Sequence, residues 1–196
     1  MNKIIAITGG IGSGKSTVLK FLEKWGYKSF SADETYKSLI LNEDFIKEIS
    51  SSIGVDPIII DGRLSLDKTA ISNKVFNDKA LLERLNSVTH PKIMQQIISD
   101  AKKCDGLVFC EVPLLFEGGF ENLFDCVLVV TRVDKIRFES ASKRDNKTVA
   151  QIEEIAKNQF DYAKIQENEH TFIIENNGDE VALMENLKFA IEKIKK

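Results

Sequence analysis

The chain has 196 residues, of which 43% are hydrophobic and 29% charged, with a net charge of −3; that length buries roughly 70% of the unfolded surface around one core without staples. The mild acidity excludes the broad positive field of a general nucleic-acid binder, and no apolar run approaches the roughly 20 residues of a membrane span. Cys104, Cys110 and Cys126 are odd in number, form no C-x-x-C pair and accompany only two histidines, so they read as core thiols of a reducing compartment and not as a disulfide or zinc framework. A soluble, cytoplasmic chain is expected, monomeric or a small homo-oligomer, with no nucleic-acid or membrane partner.

In chain order, the apolar run Ile4–Ile7 predicts a buried strand, and Gly9–Thr17 (GGIGSGKST) follows it directly. A helix starts near Lys15 and stops near Gly26, and a weaker strand is expected over Lys28–Ser31. From Asp33 to Asp105 the sequence becomes mostly helical. Leu81, Leu82, Leu85 and Val88 share one helical spacing, and Ile93, Met94, Ile97, Ile98 and Ala101 resume it after Pro91, which suits the first turn of a second helix. Leu107–Cys110, Cys126–Val130 and Phe172–Ile174 are continuous apolar runs, the pattern of parallel strands covered on both faces.

Between the last two of these runs, Lys135, Arg137, Lys143, Arg144 and Lys147 crowd into a helix–turn–helix, with a capping-box spacing at Thr148 and Gln151. Asn176-Asn177-Gly178 then turns the chain into an amphipathic helix ending at Lys196. The expected fold is α/β, a three-layer doubly wound sandwich around a five-stranded parallel sheet. One domain is expected, with its core in 1–33, 106–133 and 167–196, a helical acceptor-binding insert in 34–105 and a helical lid in 134–166.

The loop matches G-x-x-x-x-G-K-[ST] between a strand and a helix, the context that a nucleotide-phosphate cradle requires. Glycines at 10, 12 and 14 let backbone N–H groups turn inward, and the helix start adds positive potential. Gly10, Ile11, Gly12, Ser13, Gly14, Lys15, Ser16 and Thr17 are thus the nucleotide-binding candidates, with Lys15 reaching the β- and γ-phosphates and Ser16 holding Mg²⁺.

A switch GTPase needs D-x-x-G, and no aspartate of the chain opens that tetrad; Thr131-Arg132-Val133-Asp134 keeps only the last residue of N-K-x-D. No motor or transporter signature accompanies the loop. A kinase needs a group that takes the acceptor proton and cations that cover the phosphates. Asp33, just past the second strand, suits the first role; its alternative is an N-cap for a helix beginning at Glu34. Arg137 and Arg144 share a helical face, with Arg144 the first choice for the transferring phosphoryl and Arg137 the second. Glu111 stands where an acid would hold the magnesium shell, and Glu117 could accept hydrogen bonds from the acceptor. His90, on spacing alone, is more simply a helix-start residue.

These residues resemble the dephospho-coenzyme A kinase family over nearly the full length. The likeness runs through Thr8–Thr17, Ala32-Asp33, Gly62-Arg63-Leu64, Val75-Phe76, His90-Pro91, Val112–Glu117, Lys143-Arg144-Asp145, Gln159 and Asn176-Asn177-Gly178. It implies transfer of the ATP γ-phosphate to the ribose 3′-hydroxyl of dephospho-CoA, with Mg²⁺, as the last step of coenzyme A biosynthesis. It implies Asp33 as the acid–base group and places His90, Leu114 and Glu117 towards the acceptor. Three positions depart from the family pattern: Ser31 replaces the first acid of D-A-D, Ser140 stands where relatives often carry an arginine, and His170-Thr171 replaces A-D. A nucleoside monophosphate kinase is the alternative enzyme, although the insert offers only Arg63 and Arg84 to grip an acceptor phosphate; a non-catalytic ATP-sensing module is the alternative without chemistry.

Overall fold

The computed structural model describes residues 2–76 and 78–196. The chain forms β1 (Lys3–Thr8), α1 (Lys15–Lys24), β2 (Lys28–Ser31), α2 (Ala32–Leu39), α3 (Glu43–Ile53), β3 (Ile58–Ile60), β4 (Arg63–Ser65), α4 (Lys68–Phe76) and α5 (Lys79–Ala101). It continues with β5 (Leu107–Glu111), β6 (Cys126–Thr131), α6 (Asp134–Asp145), α7 (Val149–Lys157), β7 (Thr171–Glu175) and α8 (Glu180–Ile194). It forms two compact units, one of residues 1–30 with 100–196 and one of residues 31–99.

The first unit carries a five-stranded parallel sheet in the order β2-β5-β1-β6-β7, with β1 paired to β5 and β6. The apolar runs are continuous because both faces are covered. Ile5, Ile7, Phe109, Leu128, Val130 and Ile174 pack with Val18 and Leu22 of α1 and Leu187 and Ile191 of α8. Their alternating neighbours Ala6, Val108, Cys110, Val127 and Val129 are buried as well. Each such aliphatic side chain contributes about 1.5–3 kcal/mol, so β1 is a rigid base for the loop that leaves its end. Cys110 and Cys126 are buried as expected, whereas Cys104 is only half-buried and belongs less to the core than the composition suggested.

The second unit is built around Phe45, Ile46, Ile49, Ile53 and Leu66. Two features differ from the sequence reading. A two-stranded antiparallel hairpin, β3 with β4, interrupts the helices; Asp61 (φ 50°) and Gly62 (φ 75°) form its turn, the left-handed pair that a two-residue hairpin needs. Pro91 does not open a new helix but lies inside α5. The hydroxyls of Ser87 and Thr89 bond the carbonyls of Arg84 and Leu85 in the preceding turns, while Ile93, Met94 and Ile97 are buried beyond it. Burial of these positions after Pro91, with Leu85 and Val88 before it partly buried against the second unit's core, outweighs the one backbone bond that proline removes.

Candidate active site

β1 ends at Thr8, and the glycine loop delivers the chain to α1, whose N-cap is Gly14 in the left-handed region at φ 102° with no side-chain cap. A helix start of this kind presents backbone N–H groups to an anion. At Gly12 and Gly14 glycine is required for contact as well as for φ. A Cβ on Gly12 (φ 74°) would strike the Arg137 carbonyl, and one on Gly14 would strike the Asn176 amide. The loop is therefore packed against α6 on one side and the end of β7 on the other.

Side chains converge on this loop. Lys15 Nζ donates to the carbonyls of Gly9 (2.8 Å) and Gly10 (3.2 Å), which holds the ammonium over the loop. Ser16 Oγ donates to Glu111 Oε1 at 3.0 Å, joining the first turn of α1 to the end of β5. Asn176 Nδ2, buried, donates to the Ser13 carbonyl at 2.8 Å, and Asn177 Oδ1 accepts from Val133 N–H at 2.8 Å. The Asn-Asn-Gly stretch thus braces the loop as well as turning the chain into α8. Ser13 Oγ is buried with no hydrogen-bond partner and lines a cavity of about 480 Å³ together with Gly10, Arg132, Arg137 and Tyr162. A buried hydroxyl left open beside a glycine loop suits a polar ligand in that cavity.

The two arginines of α6 are placed differently. Arg137 Nη1 donates to the Ile11 carbonyl at 3.2 Å and Nε to Asp134 Oδ1 at 2.7 Å; its side chain is only 17% exposed. Arg144 is 61% exposed and pairs with both oxygens of Asp145, at 2.6 and 2.7 Å. The Asp145 hydrogen bond raises the Arg144 pKa; burial opposes this, and the charges of Asp145 and Glu111 add to it. The capping box at Thr148 and Gln151 is formed and starts α7.

After α7 the chain is stitched to the loop and to the stretch after β5. Gln159 Oε1 accepts from Ile11 N–H at 2.8 Å. Glu117 Oε1 accepts from Phe160 N–H at 2.8 Å, so one oxygen of this expected acceptor ligand is engaged by the backbone. The Tyr162 hydroxyl lies 3.2 Å from Thr8 Oγ1 and donates to the Pro113 carbonyl at 3.4 Å. Burial pushes the Tyr162 pKa up to about 12, against the lowering effect of the Thr8 hydrogen bond, so it stays a neutral donor. Phe116, Phe160 and Tyr162 close the stitch as an aromatic cluster, with centroids 4.9 Å (Phe116–Phe160) and 5.6 Å (Phe160–Tyr162) apart. Leu114, in the same stretch after β5, is 38% exposed.

Gly10–Thr17, Lys15, Glu111, Arg137 and Glu117 all lie in the first unit. Asp33 and His90 belong to the second. Asp33 sits in the first turn of α2, whose N-cap is Ser31; the alternative reading of Asp33 as the cap of a helix from Glu34 is therefore corrected. His90 lies in the middle of α5, not at a helix start, and burial lowers its pKa below the ordinary 6.5. Tyr162 and the bracing role of Asn176 escaped the sequence reading, which had only the N-N-G turn and one tyrosine among loop residues to work from.

A family model for dephospho-CoA kinase matches residues 3–181. The chain belongs to the dephospho-CoA kinase family. It is 34% identical over 177 residues to the dephospho-CoA kinase of Fusobacterium nucleatum subsp. nucleatum, covering 90% of each chain. Among solved structures, a Thermus thermophilus protein superposes with a TM-score of 0.79 at 28% identity, covering 98% of this chain and 97% of that one. The dephospho-CoA kinase of Campylobacter jejuni gives a TM-score of 0.69 at 27% identity, covering 99% and 98%. As a kinase of this family the enzyme uses ATP as its phosphate donor. No described helix is long and apolar enough to cross a membrane.

Proposed function

We propose that the enzyme transfers the γ-phosphate of ATP to the 3′-hydroxyl of dephospho-CoA, giving CoA and ADP, in the cytoplasm and without a membrane or nucleic-acid partner. The observation that carries the reading is the glycine loop closed from outside by Arg137 and from within by Lys15, in a chain whose family model spans residues 3–181. The acceptor oxygen forms a bond to the γ-phosphorus, the bond from that phosphorus to the bridging oxygen breaks with its electron pair leaving on ADP, and the hydroxyl proton passes to Asp33. Such a base is worth roughly 10²–10⁴-fold. Asp33 follows β2 directly, and ligands of open α/β sheets bind beyond the carboxyl ends of strands.

Lys15 lies where it can exchange its loop carbonyls for phosphate oxygens. Arg144 is the cation assigned to the transferring phosphoryl, while Arg137 braces the loop beneath it. His90, Leu114 and Glu117 are assigned to the acceptor side. The residues fit a magnesium ion, because Ser16 Oγ and Glu111 Oε1 offer adjacent hard oxygen donors of the kind Mg²⁺ takes, with phosphates completing its shell. When bound, the ion offsets the negative charge of the β- and γ-phosphates. An ADP-release assay with ATP and dephospho-CoA, AMP, dTMP or no acceptor tests the reading. Turnover with dephospho-CoA alone supports it; turnover only with a nucleoside monophosphate sinks it, and tight ATP binding with no acceptor turnover favours a sensor.

A further inference from the structure

One peptide unit of the phosphate loop, Gly10–Ile11, is held at both ends by side chains. Its carbonyl accepts from Lys15 Nζ at 3.2 Å, and its N–H donates to Gln159 Oε1 at 2.8 Å. In a trans peptide these two groups point in opposite directions, so fixing the N–H towards Gln159 fixes the carbonyl towards Lys15. The next unit is held too, because Arg137 Nη1 donates to the Ile11 carbonyl at 3.2 Å, and a guanidinium can only donate. Within the loop the Gly10 carbonyl also accepts from the Ser13 N–H at 3.2 Å, while the glycines at 10 and 12 add conformational freedom beside both units, so Gln159 is the partner that holds the N–H side of the first.

Gln159 and Arg137 come from the two ends of one substructure. Arg137 lies on α6 and Gln159 just beyond α7, and these helices pack on each other. Gln159 is itself anchored, since the adjacent Phe160 N–H is tied to Glu117 and the Tyr162 hydroxyl to Thr8 and Pro113.

We infer that Gln159 is a positioning residue for phosphate transfer: through the Gly10–Ile11 peptide it sets the carbonyl against which Lys15 is held, and with Arg137 it keeps the loop in the shape that receives the donor's phosphates. The inference rests on Lys15 as the donor-site cation. Losing the Gln159 acceptor leaves a part-buried N–H unpaired and leaves the peptide held only through its carbonyl, by Ser13 and Lys15, which opposes ATP binding and leaves acceptor binding alone.

Gln159→Met keeps the length and removes the acceptor, whereas Gln159→Glu restores an acceptor. The full-length enzyme is measured for KM of ATP and of dephospho-CoA, for kcat, and for hydrogen exchange of the Ile11 amide. In Gln159→Met, KM for ATP is expected to rise about tenfold, the size of one such lost bond, with KM for dephospho-CoA unchanged and Ile11 exchange accelerated. In Gln159→Glu the Ile11 amide is expected to regain its protection. Wild-type KM for ATP and wild-type Ile11 exchange in Gln159→Met, with ATP binding lost in Lys15→Ala, would overturn the role of Gln159 alone. Unchanged ATP binding in Lys15→Ala would overturn the donor-site reading and this inference with it.

Discussion

The Ser16 hydroxyl donates a 3.0 Å hydrogen bond to the Glu111 carboxylate, joining the residue after the loop lysine to the last residue of β5. Two oxygens thus meet at the mouth of the loop, one neutral and one charged. Glu111→Gln keeps the shape and removes the charge. The Mg²⁺ concentration giving half-maximal rate is expected to rise roughly 10–100-fold, as for other groups that steer a metal site. A magnesium titration of initial rates checks this, and an unchanged midpoint would return Glu111 to a structural role.

The two arginines of α6 are expected to fail in different ways. Arg137 contacts the loop itself, so Arg137→Ala raises KM for ATP more than it lowers kcat. Arg144 pairs with Asp145 and is assigned to the transferring phosphoryl, so Arg144→Ala lowers kcat by about 10³-fold, the low end for an arginine in that role. Steady-state kinetics with ATP varied at saturating acceptor separates the two. The reverse pattern would exchange their assignments.

Burial lowers the His90 pKa below 6.5, so the unfolded chain binds a proton there at a pH where the folded chain does not. By linkage, stability from this group is fully present above pH 6.5 and declines as pH falls below it towards the folded-state value. Urea midpoints measured from pH 7.5 downwards are expected to fall through that window, and His90→Gln should flatten this part of the curve. An equal slope in the variant would assign the acid sensitivity elsewhere.

Asp33→Asn keeps the size of the side chain and loses the proton acceptor. The variant is expected to fold and bind ATP normally while kcat falls roughly 10²–10⁴-fold. Calorimetric ATP binding beside turnover checks both halves, and wild-type turnover would leave Asp33 as a first-turn helix residue only.

The sheet was legible in the sequence because its strands are buried on both faces, and Ile4–Ile7, Leu107–Cys110 and Cys126–Val130 carry that burial as unbroken apolar runs. The β3–β4 hairpin carries a local signal as well, Asp61-Gly62 after Ile58-Ile59-Ile60, but its isoleucines are exposed and its strands are too short to show a period among helices. Pro91 misled for the opposite reason: its local preference for a helix start is overridden by burial of Ile93, Met94 and Ile97 in the turns that follow. Within the site, the loop could be read because its backbone chemistry is written in glycines. Gln159, Tyr162 and Asn176 act by bonding Ile11, Thr8 and Ser13, far away in the chain, and no spacing rule records such partners.

Transfer from ATP to the 3′-hydroxyl of dephospho-CoA is decided by identifying the product. The purified enzyme is incubated with ATP, Mg²⁺ and dephospho-CoA, and the products are analysed by mass spectrometry and phosphorus NMR. CoA carrying a ribose 3′-phosphate is expected in equal amount to ADP; ADP formed without CoA, or phosphate on any other atom of the acceptor, would rule this transfer out.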